Sequence, residues 1–169
     1  MAEVIKIKKG LDIKMNGQAE LIYVKAPRAL TYAIKPGDWH GLTPKIIPKL
    51  CDEVKVGTPI FYDKYHPEVK FCSPVSGILS SINRGERRRI IEVVVEDNGK
   101  DTAESFLQGD PSAMKREQIV ENLLNSGLWP VIRRRPYTVM ARTGEVPKSI
   151  FISAFDTAPL APDFDFLLK

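Results

Sequence analysis

Thirteen prolines in a chain of 169 residues leave little room for long regular elements. Proline has no N–H to give to a helix or a sheet ladder, and inside a helix its ring clashes with the preceding turn. Their number argues against a helical bundle and for short strands, turns and connecting segments. A hydrophobic share of 43% and a charged share of 27% mark a folded soluble chain rather than a disordered one. The length suits one domain, or one domain and part of a second. Twenty-five basic against 21 acidic residues give a formal net charge of +4, too small an excess to indicate nucleic acid by itself.

Read along the chain, the first hundred residues are β-rich. Val4, Ile5 and Ile7 predict a strand ended at Lys9-Gly10, and Leu21-Ile22-Tyr23-Val24 are a second apolar run, closed by Pro27. Residues 35–48 form a proline- and glycine-rich connection holding Trp39 and His40. Asp52 to Asp63 reads strand, turn, strand, with Val69, Phe71 and Ser73-Pro74-Val75-Ser76-Gly77 repeating the arrangement. Ile78, Leu79 and Ile82 follow, then a turn at Asn83-Arg84-Gly85. The β-branched run Arg89 to Glu96 favours a pleated, buried surface, and Asp97-Asn98-Gly99 ends it. Gly57 and Gly77 fall where tight turns need positive φ.

The pattern changes after residue 100. Asp110-Pro111 predicts a helix start, Ile119, Val120, Leu123 and Leu124 recur at helical spacing, and Gly127 predicts the stop. Leu128-Trp129-Pro130, the run Arg133-Arg134-Arg135 and Pro136-Tyr137 come next. Ser149 to Phe155 reads as a buried strand, followed by a loop and a polar end that leaves a sheet layer incomplete. The expected fold class is α+β: a β-rich domain over residues 1–100, then the start of an α/β domain over 101–169. The chain is expected to be part of a longer protein.

Cys51 and Cys72 lack metal-ligand spacing and cannot make a disulfide framework, so free thiols are expected. No apolar run is long enough to span a bilayer, and the first residues do not read as a signal peptide.

Val56-Gly57-Thr58-Pro59-Ile60-Phe61 with Ser73-Pro74-Val75-Ser76-Gly77 resembles the lipoyl- and biotinyl-carrier family, which implies a barrel-sandwich hybrid. Lys64 follows an aspartate at the hairpin tip, as the modified lysine does there. It lies further from Pro74 than that family's spacing, and Tyr65, His66 and Pro67 crowd it, so a solvated lysine is the expected reading. A longer resemblance runs through Ile5-Lys6-Ile7-Lys8-Lys9-Gly10-Leu11-Asp12-Ile13, Phe61 to Gly77, Ile82-Asn83-Arg84-Gly85, Ser126-Gly127-Leu128-Trp129, Arg135-Pro136 and Ile150-Phe151 through Ala161. These blocks resemble, in order, the amino-terminal part of the NqrA family, the A subunits of bacterial sodium-translocating NADH:quinone oxidoreductases.

That resemblance implies a peripheral subunit on the cytoplasmic side of the bacterial inner membrane. Its partners would be the other subunits of the complex, membrane subunits above all. The complex oxidises NADH, reduces ubiquinone or menaquinone and exports sodium, using flavins and an iron–sulfur centre carried chiefly elsewhere. No cysteine cluster or G-x-G-x-x-G after a strand stands in this chain, so no NADH, flavin or iron–sulfur site is expected in it. The related C subunit of ion-pumping ferredoxin:NAD oxidoreductases shares the sandwich turn, but its glycine-rich, histidine-containing opening is absent here. A lipoyl-like carrier or interaction module is the alternative from a different class.

Quinone chemistry needs planar apolar surface and donors aimed at two carbonyls. Trp39 and His40 in their loop, and Trp129 followed by Arg133, Arg135 and Tyr137, are the stretches that offer this, as a quinone-proximal or subunit-contact surface. The plainer readings are an exposed loop at Trp39-His40, a core tryptophan at 129 and a solvated charge run at Arg133–Arg135. The arginines Arg84 and Arg87-Arg88-Arg89 have no aromatic neighbours, so contact with nucleic acid is not expected. Paired carboxylates such as Glu53 with Asp63 carry no acid–base motif.

Overall fold

The computed structural model describes residues 16–17, 20–153, 156, 158 and 161–168. The predicted strand at Val4 to Ile7 and the motif from Ile5 to Ile13 lie outside them. The chain divides into two compact units, Arg28–Val146 and the paired termini Met1–Pro27 with Pro147–Lys169.

Within Arg28–Val146, seven strands make two antiparallel sheets: β1 (Thr31–Ile34), β2 (Pro44–Ile46), β3 (Glu53–Val54), β4 (Pro59–Asp63), β5 (Lys70–Cys72), β6 (Gly77–Arg84) and β7 (Ile90–Asp97). One sheet runs β1-β7-β6-β3 and the other β2-β4-β5. Their inward faces share a single core of Val54, Ile60, Phe61, Val69, Phe71, Val75, Leu79, Ile90, Val93, Val95 and Trp129. From Val93 to Glu96 the twofold strand period holds, with Val93 and Val95 buried and Glu96 exposed; at the start of β7 the phase breaks, Ile90 buried and Ile91 exposed, where the β6–β7 register shifts between Asn83 and Arg84.

The β6–β7 hairpin is the longest ladder and pairs Gly77 with Asp97 and Arg84 with Ile90. Strand β6 thus continues through the residues predicted as a turn, and the reversal falls at residues 85–89. There the Arg89 N–H donates to the Glu86 carbonyl at 3.1 Å, with Arg87 and Arg88 at φ 52° and 61°. This is type I′ geometry, which matches the strand twist but puts two non-glycine residues in the left-handed region.

The two turn glycines act differently from one another. Gly57 has φ 90°, as predicted. Gly77 lies inside a strand without positive φ; a Cβ there would stand 1.8 Å from the Glu96 carbonyl oxygen. The reason for glycine at 77 is close approach of two backbones.

After β7, Val56 bridges in parallel to Ala103, and a single 3-10 turn at Pro111–Ala113 is capped by Asp110, whose Oδ1 accepts the Ser112 N–H at 2.9 Å. The helix α1 begins later than predicted, at Arg116–Asn125, because Met114 and Lys115 take extended backbone. Gln118 Oε1 accepts the Lys115 N–H at 3.0 Å and closes the new start. At the other end Gly127 has φ 74° and the Leu128 N–H reaches the Leu123 carbonyl at 3.1 Å, the Schellman ending that the glycine predicts. Val120, Leu123 and Leu124 pack against the sandwich core. A two-stranded ribbon, β8 (Arg133–Arg134) with β9 (Val139–Met140), follows.

In the terminal unit, one strand expectation is corrected and one apolar run lies open to solvent. Leu21 to Val24 are 55–79% exposed, and Ile150 to Ile152 are 77–89% exposed; neither run is a strand. Apolar β-branched composition makes a strand only where a ladder partner completes the backbone hydrogen bonds, and among the described residues neither run has one. Tyr23 instead stacks on Phe166 at 4.6 Å and donates to its carbonyl at 2.8 Å, on the short helix α2 (Phe164–Leu167).

Arg28 ties the open end of the β6–β7 ladder. Its guanidinium donates through Nε and Nη2 to Asp97, and at 2.9 and 2.6 Å to Asp101. The Asp97 side chain is only 3% exposed. Hydrogen bonds from Arg28 hold both carboxyls below the ordinary carboxylate value, with the Gly99 N–H adding to the effect at Asp97.

These contacts can be tested by unfolding. Gly77→Ala is expected to destabilise the fold by about 3 kcal/mol in urea, since backbone must move. Gly144→Ala, where a Cβ meets nothing within 4 Å, is expected to stay within about 0.5 kcal/mol. Because the folded-state values of Asp97 and Asp101 are lowered, their contribution is present above about pH 4 and fades as pH falls towards the lowered values. Urea midpoints of the parent and Arg28→Gln should therefore differ at pH 7, and the difference should shrink as the pH falls below about 4. A gap that does not shrink in acid would exclude this ion cluster as the source.

Candidate functional site

A cleft of about 160 Å³ opens where three segments meet: the loop His40–Leu42, the β4–β5 hairpin and the strap Val139–Thr143. The loop is set by the 3-10 turn Pro36–Asp38, whose first residue is buried and presets φ. Trp39 then turns inward, its ring edge-on to Phe71 at 4.8 Å, and Phe71 stacks on Phe61 at 4.8 Å. This aromatic row fixes Trp39 to the core and leaves His40 exposed at the cleft.

The hairpin is organised by Asp63, a carboxylate only 4% exposed. Its Oδ1 accepts the backbone N–H groups of Thr43 and Tyr65 at 3.4 and 3.3 Å, and its carbonyl accepts the His66 N–H at 3.1 Å. Lys64 N–H reaches across to the Thr43 carbonyl at 2.9 Å. Asp63 thus holds loop and hairpin together, its Oδ1 engaged by backbone. Lys64 itself is exposed, with its ammonium 5.6 Å from the Tyr65 ring centre.

Trp129 anchors the strap. It is 7% exposed, and its indole N–H donates to the Ala141 carbonyl at 2.9 Å, while the Ala141 N–H donates to the Ile132 carbonyl at 2.9 Å. Further along, Thr143 Oγ1 donates to Glu68 Oε1 at 2.7 Å, and the same carboxylate lies 3.8 Å from His66 Nδ1. The two tryptophan stretches named from sequence are therefore connected, but indirectly: His40 lines the cleft, Trp39 stands behind it, and Trp129 holds its opposite wall. Arg133, Arg135 and Tyr137 are exposed on the ribbon and line no part of this cleft; Arg135 donates to Thr138 Oγ1 at 2.8 Å.

Sequence reasoning gives Asp63 no acid–base role and His66 only a place beside Lys64, and it assigns nothing to Glu68 or Thr143. A signal for Asp63 exists: it occupies an inward position in the alternation of β4. Thr143 carries none, since its contact with Glu68 spans 75 positions.

Cys72 is half-buried against Gly127, and its thiol donates to the Asn125 carbonyl at 3.6 Å. Burial pushes its pKa up to about 11, so the group is a protonated packing thiol at neutral pH. Among the described residues no group of three His, Cys, Asp or Glu converges to hold a metal ion, and no helix is long and apolar enough to cross a membrane.

Comparison with known proteins agrees with this architecture. Residues 5–98 match the family described as the NqrA N-terminal barrel-sandwich hybrid domain, and residues 114–169 match the NqrA second alpha/beta domain. Among curated relatives, the A subunit of the Na(+)-translocating NADH-quinone reductase of Saccharophagus degradans is 40% identical over 163 residues, 95% of this chain and 36% of the relative. The protein of the same name from Marinomonas sp. is 39% identical over 165 residues, 96% of this chain and 37% of that one. In Tolumonas auensis the figures are 37% identity over 169 residues, 98% and 38%. The chain spans little more than a third of the length of these relatives. With the family model over residues 5–98, more than half of the chain, it belongs to the NqrA family, matching its N-terminal barrel-sandwich hybrid domain and its second alpha/beta domain.

Proposed function

We propose that the protein serves as the A subunit of a Na(+)-translocating NADH-quinone reductase, on the cytoplasmic side of the bacterial inner membrane and held there by its partner subunits. In this reading the whole complex oxidises NADH, reduces quinone and exports sodium. The residues of this chain supply scaffold and quinone-side surface, while NADH, flavin and iron–sulfur chemistry belong to other subunits. In the same reading residues 1–100 form the β-rich sandwich domain and residues 101–169 belong to an α/β domain. Support for the reading comes from the family match over residues 5–98 and from the shared name of relatives at 37–40% identity.

The observation that carries the quinone-side role is the His40 cleft, with Trp39 fixed behind it by Phe71. His40 offers a donor beside the aliphatic surface of Leu42, Val69, Val139 and Met140, which suits a quinone carbonyl at the edge of its ring. At about 160 Å³ the cleft is smaller than the roughly 300 Å³ of an ordinary ligand pocket, so it suits the edge of a ring at its mouth or a residue from a neighbouring subunit. Arg133, Arg135 and Tyr137, exposed on the ribbon, are assigned to subunit contact, and Trp129 to positioning the strap.

The test uses the full-length protein in its assembled complex. Losing one hydrogen bond of about 0.5–1.5 kcal/mol corresponds to roughly a two- to tenfold change. His40→Ala is therefore expected to raise the quinone KM by that factor, with NADH oxidation by an artificial acceptor unchanged. Trp39→Ala should do the same with some loss of thermal stability. If both variants assemble normally and reduce quinone with parental kinetics, the quinone-side assignment fails.

A further inference from the structure

The turn of the β6–β7 hairpin is unfavourable in two ways at once. Type I′ turns favour Asn-Gly at their central positions because both need positive φ, yet Arg87 and Arg88 occupy them. Arg84 and Arg89 flank the pair, so four exposed arginines crowd one reversal. Arg84 donates to the Arg88 carbonyl at 3.3 Å. Among the described residues, none of Arg87, Arg88, Arg89 or nearby Lys35 forms an ion pair. Like charges gathered in one turn repel one another.

These cations surround space. An open cleft of about 910 Å³ lies between the hairpin turn and the 3-10 turn at Pro36–Asp38, with Lys35, Arg87 and Arg89 on its walls. Arg89 reaches across, its Nη2 3.9 Å from where a Cβ on Gly37 would stand. Asp38 and Glu86 line the same cleft as acceptors. It shares no residue with the His40 cleft.

We propose that this cleft binds a phosphate ester that carries hydroxyl groups close to the phosphate. Lys35, Arg87 and Arg89 take the phosphate oxygens, the planar guanidinium forks matching them bidentately. Asp38 and Glu86 accept from the hydroxyls. The two carboxylates disfavour an extended polyanion, such as an acidic polypeptide, which would bring further negative charge against them. A soluble phosphate ester and the headgroup of phosphatidylglycerol present the same chemistry.

The experiment titrates the 169-residue chain at low salt with glycerol 3-phosphate, following the backbone amides of Gly37 and residues 85–89 by NMR. In parallel, the chain is sedimented with phosphatidylcholine vesicles with and without phosphatidylglycerol. The diagnostic variant is Arg87→Gly with Arg88→Gly, since glycine adopts the required φ freely and the variant should unfold at the parental temperature or above. Saturable binding of glycerol 3-phosphate, at least tenfold weaker in the double variant, identifies a soluble ligand. Binding confined to phosphatidylglycerol vesicles, with the same loss, identifies the headgroup. The proposal is overturned if neither probe binds, if the folded double variant binds as well as the parent, or if polyglutamate displaces the probe at equal charge concentration.

Discussion

The β6–β7 ladder is the spine of the sandwich, and it can close only because residue 77 has no side chain. Gly77 faces Asp97 in register, and a Cβ would collide with the Glu96 carbonyl oxygen. From that close pass the rest follows. Leu79 and Val95, paired in register, bury their side chains on one face and meet the second sheet over Phe61 and Phe71. Ser76 and Asn98, just outside the ladder, hydrogen-bond through backbone at 3.0 Å and side chain at 2.8 Å, so the seam continues past the strands. A larger residue at 77 would part these groups together, because packed interiors transmit displacement rather than absorb it.

The His40 cleft depends on the second sheet and on two side chains whose polarity is used internally. Asp63 joins loop to hairpin, and the Trp129 indole joins the strap to the segment after α1. Both are buried polar groups with satisfied partners, and removing either would leave backbone N–H or C=O groups to be desolvated unpaired. The cleft walls are therefore more rigid than their loop character suggests, and this pre-organisation lets an exposed residue such as His40 hold a defined place.

Much of this is legible in the sequence where a local rule applies. The alternation from Val93 to Glu96, the Schellman ending at Gly127 and the positive φ at Gly57 each follow from a few neighbouring residues. Readings that depend on distant partners go astray. Leu21 to Val24 and Ile150 to Ile152 have strand composition, but composition cannot supply the neighbouring strand that a ladder needs. Gly77 reads as a turn glycine because the sequence does not reveal that Glu96 lies against it. Trp129 illustrates the limit from the other side: its surroundings in sequence suit both core and ligand surface, and its ring is buried while its one donor holds the cleft's strap. The barrel-sandwich hybrid class is readable because its turn motifs are local, whereas the cleft joins segments as far apart as His40 and Thr143.

The two ends of the β6–β7 hairpin treat charge in opposite ways. At the open end Asp97 is nearly buried, and its carboxylate is answered by Arg28 and the Gly99 N–H. Desolvation is offset there within the chain, as buried carboxylates require. At the closed end the arginines are exposed and, among the described residues, Arg87, Arg88 and Arg89 form no ion pair, in a turn whose backbone also favours other residues. An exposed charge needs no partner for folding, since solvation supports it. The unfavourable part is the combination of repulsion with left-handed backbone at Arg87 and Arg88, for which the folded chain offers no compensating contact. Strain of this kind persists only where surrounding structure over-determines it, and here the ladder does so: the strand pairing up to Arg84 and Ile90 enforces the turn whatever residues fill it. The hairpin can therefore carry an adverse sequence at its tip because Gly77, at its other end, lets the ladder close tightly.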